Sequence, residues 1–337
     1  MSARFARVSP VGTGSGAGAL AIIQLEAASG DELDSALRRI GLADLPLGAV
    51  QLRYLLGIDR GLAARFAPTM AQFLVHGSPL VTAELTAAIQ RAGWVPADRE
   101  LDSPSARFPE ARDLVEACML DALARAPSPM AVDVLLSQPN VWRRKEGRVV
   151  RGEDKRSLDR LLTPPLVVAI GPPNVGKSSL LNALAGREVS VVADQPGTTR
   201  DHVGVLLDLD GLVVRWVDVP GSDDCCVRAS FIDRTAIQAA REVIRAADMV
   251  IACADARTSF TTPAVYGVES PLPVLRCGTR ADLGPVSGAE METSSLDGRG
   301  ITALARLVRD RLVPPRLLSD PVRWPFHALL HEDSTLG

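Results

Sequence analysis

The chain has 337 residues, 47% of them hydrophobic, and a formal net charge of −3. That length fits two or three domains with a substantial buried core. The slightly negative balance excludes a globally basic nucleic-acid binder, so any RNA contact would need a local patch. Four Trp and two Tyr are too few for an aromatic stacking surface. No apolar run is long enough to span a bilayer, and no apolar segment follows the basic residues at the N-terminus, so a cytoplasmic protein without membrane contact is expected. The five cysteines show no metal-ligand spacing and fit reduced thiols.

In chain order, residues 1–105 alternate apolar strands with an amphipathic helix whose Leu85, Ala88 and Ile89 keep i, i+3, i+4 spacing. They are expected to form a small α+β domain. Residues 106–162 predict a helical segment, broken at Pro127-Ser128-Pro129 and again near Pro139. The stretch from Arg143 to Arg160 is rich in basic residues, but Glu146, Glu153, Asp154 and Asp159 interrupt it, as in a solvated linker. Thr163-Pro164-Pro165 is a stiff hinge into residues 163–315. Pro314-Pro315 ends the last helix of that domain and leaves a short tail, 316–337.

The hinge opens onto the most informative motif. An apolar run, Leu166-Val167-Val168-Ala169-Ile170, leads into Gly171-Pro172-Pro173-Asn174-Val175-Gly176-Lys177-Ser178, and a helical pattern follows from Ser179. Strand, glycine-bounded loop, lysine, hydroxyl and helix in this order describe a phosphate-binding loop. Glycines let the backbone wrap an anion so that amides from Asn174 to Ser179, Val175 and Gly176 among them, face phosphate oxygens. The helix adds the positive end of its dipole. Lys177 supplies charge to the outer phosphates and Ser178 a hydroxyl to Mg²⁺. Up to this point ATP, GTP or another nucleotide would fit. The expected fold of 163–315 is α/β, a P-loop domain with a mostly parallel sheet and helices on both faces.

Four further motifs follow. Pro196-Gly197-Thr198-Thr199-Arg200-Asp201 offers Thr198 and Thr199, hydroxyls able to close over Mg²⁺ and the γ-phosphate and to be released on hydrolysis. Asp218-Val219-Pro220-Gly221 ends a second apolar run; Asp218 can reach Mg²⁺ and the Gly221 amide can contact the γ-phosphate. Thr279-Arg280-Ala281-Asp282 follows a third run. The Asp282 carboxylate can accept from the ring N–H and amino group of guanine, both of which adenine lacks. The usual form of this motif is Asn-Lys-x-Asp, so Thr279 stands for the bracing Asn, and Arg280 offers its stem or guanidinium plane to the base. Amides near Ser294 and Ser295 are placed to meet the guanine carbonyl oxygen. The set selects GTP and GDP with Mg²⁺.

The five motifs in this order resemble the translation-factor-like GTPases, and within them the TrmE–Era–Der group. Upstream, Gly14-Ser15-Gly16-Ala17-Gly18, Phe73-Leu74-Val75-His76-Gly77 and Glu110-Ala111-Arg112-Asp113-Leu114 look like segments of the TrmE/MnmE family of tRNA-modification GTPases. The resemblance implies a K⁺ ion at Asn174 that assists hydrolysis, covered by residues 188–196. It implies water positioning by an acid after the Asp218 loop, with Asp233 the best-placed candidate and Asp223 and Asp224 its rivals. It also implies a homodimer formed through the N-terminal domain and through the G domains, a tRNA-modification partner protein, and tRNA. Two departures stand out. Leu25-Glu26-Ala27 replaces the Arg-x-Ser-Gly expected after the opening strand, where the family binds folate. No cysteine lies beyond Cys277, so the family's closing cysteine motif has no counterpart here.

The resulting expectation is a GTPase that hydrolyses GTP, with Lys177, Thr199, Gly221 and Asp233 as its catalytic group. Two roles compete for it: wobble-uridine modification of tRNA, or a regulatory switch with slow hydrolysis.

Overall fold

The computed structural model describes residues 3–8, 20–97, 103–108, 110–186, 204–219, 231–269 and 271–330. The chain divides into two compact units, 1–125 with 327–337, and 126–326. The division falls inside the stretch expected as one helical segment.

The first unit is built on a six-stranded sheet. Its elements are β1 (Arg4–Val8), β2 (Leu20–Glu26), α1 (Gly30–Arg39), β3 (Val50–Leu55), β4 (Asp59–Ala67), β5 (Met70–His76), α2 (Pro79–Arg91), β6 (Val95–Pro96), α3 (Pro104–Arg107) and α4 (Leu114–Leu123). The strand order is β3-β4-β5-β2-β1-β6. Pairing is antiparallel except between β1 and β6. Alternation along each strand sends one set of side chains into the core. Ile23, Leu25, Phe73 and Val75 meet Leu33 and Leu37 of α1 and Leu85 and Ile89 of α2 there. The helix expected around Leu85 and Ile89 is therefore present, and both residues are fully buried. The opposite face of β3 and β4 leaves Val50, Leu52, Tyr54 and Leu62 exposed. His76, at the end of β5, sets its Nδ1 2.8 Å from Asp59 Oδ1, while its backbone N–H donates to Asp59 Oδ2. Burial raises the Asp59 pKa, but these hydrogen bonds outweigh it and hold the carboxyl below its ordinary range.

The second unit contains α5 (Ala131–Arg143), α6 (Gly152–Asp159), β7 (Leu166–Ile170), α7 (Lys177–Ala185), β8 (Val205–Leu209), β9 (Leu212–Asp218), α8 (Phe231–Ala246), β10 (Met249–Ala254), β11 (Val274–Gly278), β12 (Met291–Glu292), α9 (Ile301–Leu312) and α10 (Arg316–Ser319). Its sheet has the order β12-β11-β10-β7-β9-β8. All neighbours are parallel except the β8–β9 hairpin. This is the expected α/β, mostly parallel P-loop sheet. Val168 and Ile170 of β7 and Val250 and Ala252 of β10 pack on Ala240, Val243 and Ile244 of α8. A 3-10 turn, Pro263–Tyr266, occupies the short link between β10 and β11.

The break expected near Pro139 is absent, because α5 runs through it. An interior proline costs a helix roughly 3 kcal/mol. Burial of Leu135, Gln138, Pro139, Val141 and Trp142 offsets that cost. The partner of this face is the segment after α10. Gln138 Nε2 donates to Val322 O, and Gln138 Oε1 accepts from Trp324 N and from Trp142 Nε1. The Trp324 indole, fully buried, donates to Asp159 Oδ1 at 3.0 Å. What the sequence presents as a tail is thus part of the packing of α5 and α6.

Candidate nucleotide site

Parallel strands β7, β10 and β11 end at one edge of the sheet, and the motif loops leave from there. The β7 loop keeps close to its neighbour. A Cβ on Gly171, which has φ +150°, would lie 2.4 Å from Cys253 O of β10, so no larger residue fits. Asn174 (φ 58°) and Gly176 (φ 104°) both lie in the left-handed region, which turns the loop around before α7 begins at Lys177. Such successive turns point main-chain amides to the inside of the loop, where an anion is held.

Lys177 is buried, 8% exposed, and donates from Nζ to Gly171 O and Pro172 O at 3.1 and 3.0 Å. An ammonium has three N–H groups, so one remains for a phosphate oxygen. Ser178 Oγ, the next residue, donates to Asp218 Oδ2 at 2.7 Å across from the end of β9. The other carboxylate oxygen, Asp218 Oδ1, is buried without a hydrogen-bond partner among the described residues. A buried carboxylate oxygen left this way costs energy unless something positive meets it. A hydroxyl and a carboxylate are hard oxygen donors of the kind Mg²⁺ takes with phosphates, so the residues present fit the ion.

Beside the loop lies a cavity of about 600 Å³. Gly176 and Ser179 line it on one side, Thr279, Arg280 and Asp282 on another, and Ser295 on a third. Asp282 sits in a 3-10 turn, Ala281–Leu283, whose N-cap Arg280 has φ 51°. That turn is fixed by Ala281 N donating to Thr293 O and Leu283 N to Arg280 O. The Thr279 hydroxyl is buried and reaches both Val175 O of the phosphate loop and Ala254 O of β10, its one proton serving either. Thr279 therefore ties the base loop to the phosphate loop, the task expected of the Asn it replaces.

The serine pair separates. Ser295 lines the cavity, whereas Ser294 is fully buried and its amide donates to Arg299 O within the turn. That amide is engaged within its own turn. The expectations for Thr198, Thr199, Gly221 and residues 188–196 lie outside the described residues. Asp233 falls in the first turn of α8, and its side chain also lies outside them, as do the rival Asp223 and Asp224. The sequence reading missed Asn182, Leu283 and Leu296, which also line the cavity. Asn182 lies three residues after Ser179 on α7, on the same side of the helix, a spacing that could have shown it.

Among the described residues, no cluster of three or more His, Cys, Asp or Glu forms a metal site. Cys118, Cys253 and Cys277 are free and buried. Burial pushes the Cys277 thiol up to about 11 and the Cys118 thiol up to about 12, which keeps both protonated and inert. No described helix is long and apolar enough to cross a membrane.

Residues 166–270 match a family model described as 50S ribosome-binding GTPase. The chain is 32% identical over 309 residues to the tRNA modification GTPase MnmE of Acidiphilium cryptum, covering 76% of this chain and 69% of that protein. It is 39% identical over 153 residues to the protein of the same name from a Methylobacterium strain, covering 44% of this chain and 33% of that one. Against that relative, then, the chain spans only about a third of its length. Among solved structures, the G domain of FeoB from Methanococcus jannaschii is similar at 23% identity and a TM-score of 0.33, over 44% of this chain and 97% of that one. The family-model match and the MnmE relatives make the chain a GTPase, which binds GTP and GDP with Mg²⁺ and hydrolyses GTP. It belongs to the MnmE family of tRNA modification GTPases.

Proposed function

We propose that this GTPase acts in the modification of the tRNA wobble uridine, as a homodimer that works with a partner protein. The name carried by its relatives supports that role over a free-standing switch. The observation that carries the hydrolytic part is the Ser178–Asp218 hydrogen bond beside the buried Asp218 Oδ1, which has no partner among the described residues. Transition-state charge in phosphoryl transfer spreads over the phosphate oxygens, so positioning and electrostatics supply most of the catalysis. Lys177 places its remaining N–H on the outer phosphates, and the loop amides orient the triphosphate. Ser178 and Asp218 would hold Mg²⁺, which when bound would supply positive charge to the phosphates. Thr199 and the Gly221 amide complete the γ-phosphate site in this reading, and Asp233 orients the attacking water.

Asn174 is the proposed K⁺ ligand. It is exposed at the crest of the phosphate loop with φ 58°, and a side-chain carbonyl there suits a weakly hydrated cation. The apolar outer face of β3 and β4, with Tyr54 69% and Val50 59% exposed, supports association through the first unit. If both readings hold, GTP turnover is faster in K⁺ than in Na⁺, and turnover per chain rises with protein concentration. Equal rates in the two salts would remove K⁺ from Asn174, and rates per chain independent of concentration would remove the dimer. The tRNA role is checked in cells: deleting the gene should erase the modification from wobble uridines, read by mass spectrometry of tRNA nucleosides. Unchanged nucleosides would leave a switch as the better description.

A further inference from the structure

We propose that Asp255 is a positioning residue of the base site, holding the Arg280 guanidinium so that the arginine stem forms a fixed wall of the guanine pocket beside Gly176. The proposal rests on the cavity being the guanine site. Sheet pairing brings the two residues together. Strands β10 and β11 run parallel with Ala254 opposite Gly278, so the residues that follow each strand leave the sheet side by side. Asp255 is only 7% exposed, and its two oxygens have separate tasks. Oδ1 accepts from the Arg257 amide and from Thr258 Oγ1, both at 3.0 Å. Oδ2 lies 3.6 Å from Arg280 Nη1. The turn thus fixes the carboxylate, and the carboxylate fixes the arginine.

The geometry of Arg280 gives that tether its effect. Its φ of 51° lies in the left-handed region, which costs a non-glycine residue energy and is kept where the surroundings determine it. From there the side chain crosses the phosphate loop. A Cβ on Gly176 would lie 3.7 Å from both Cγ and Nε of Arg280. Arginine has large rotamer freedom, and Arg280 is 45% exposed. An untethered arginine would lose that freedom when the purine arrived, whereas one already held by Asp255 loses little. Asp255 acts through Arg280 and does not itself reach the base.

A double-mutant cycle tests this on the full chain in magnesium buffer, with a fluorescent ribose-labelled GDP as probe. Asp255→Asn and Arg280→Met should each weaken GDP about three- to tenfold, and the double variant should be no weaker than Arg280→Met alone. For Asp255→Asn the loss should fall on KM for GTP rather than on kcat. Losses that multiply in the double variant would mean that Asp255 only caps its own turn, and overturn the proposal. Should Asp255→Asn fail to fold, Arg280→Met decides alone, since it keeps the stem and removes the charge: wild-type GDP affinity there overturns the tether. An unmutated chain that does not bind the probe would instead overturn the reading of the cavity as the base site.

Discussion

Lys177→Ala is expected to weaken GTP and GDP binding by about 10–10²-fold, from the loss of the one charge-assisted hydrogen bond, worth roughly 1.5–3 kcal/mol, that its remaining N–H makes to phosphate. The structure explains why the effect is large. Lys177 is buried at the start of α7 and already braced by the carbonyls of Gly171 and Pro172, so its ammonium is placed before the nucleotide arrives. Removing it takes away the phosphate contact and leaves two carbonyls without their donor. The loop backbone keeps its turns, because Asn174 and Gly176 set them, so the variant should remain folded. Calorimetry with GDP and Mg²⁺ on folded protein checks this, and an unchanged affinity would show that Lys177 does not touch phosphate.

Asp282→Asn should exchange base preference. A carboxylate accepts from both the ring N–H and the amino group of guanine. An asparagine offers one acceptor and one donor, which matches the carbonyl that xanthine carries in place of the amino group. The bond to the ring N–H is kept and the one to the amino group becomes donor against donor; that single loss, at roughly 1.5–3 kcal/mol, predicts a GTP affinity about 10–10²-fold lower, with XTP binding improved. Competition among GTP, XTP and ITP reads the change. The turn that carries Asp282 is held by main-chain bonds of Ala281 and Leu283, so the substitution leaves the geometry in place. If the order of the three nucleotides stays as in the unmutated chain, Asp282 does not read the base.

Much of this site was legible in the sequence because its chemistry is local. Two glycines, a lysine and a hydroxyl between an apolar run and a helical pattern specify the phosphate loop within thirteen residues of chain. Asp218 and Asp282 could be found because each comes after an apolar run. Asp255 has the same local signature, an acid after the apolar run Met249–Ala254. Its meaning depends on which strand lies next to β10, and that pairing is not written in spacing. Ser294 and Ser295 mark another limit: adjacent hydroxyl residues take opposite fates because the Ser294 amide is drawn into the turn by Arg299 O. Trp324 lacks periodic neighbours, so burial against Gln138 and Asp159 cannot be read from its own segment. Pro139 misleads for the same reason, since the burial that outweighs its local cost comes from residues more than 180 positions away.

The way residues 320–326 lie against α5 and α6 sets where this enzyme can be cut. Arg160 adds to the closure, reaching Asp248 and Leu312 O from the end of α6. A fragment excised at the proline hinge and at Pro314-Pro315, the natural choice from the motifs, would discard α5, Arg160 and Trp324 together with the hydrogen bonds they make. The compact unit that keeps these contacts runs from 126 to 326. Any crystallisation or binding experiment on an isolated nucleotide domain should start from those ends.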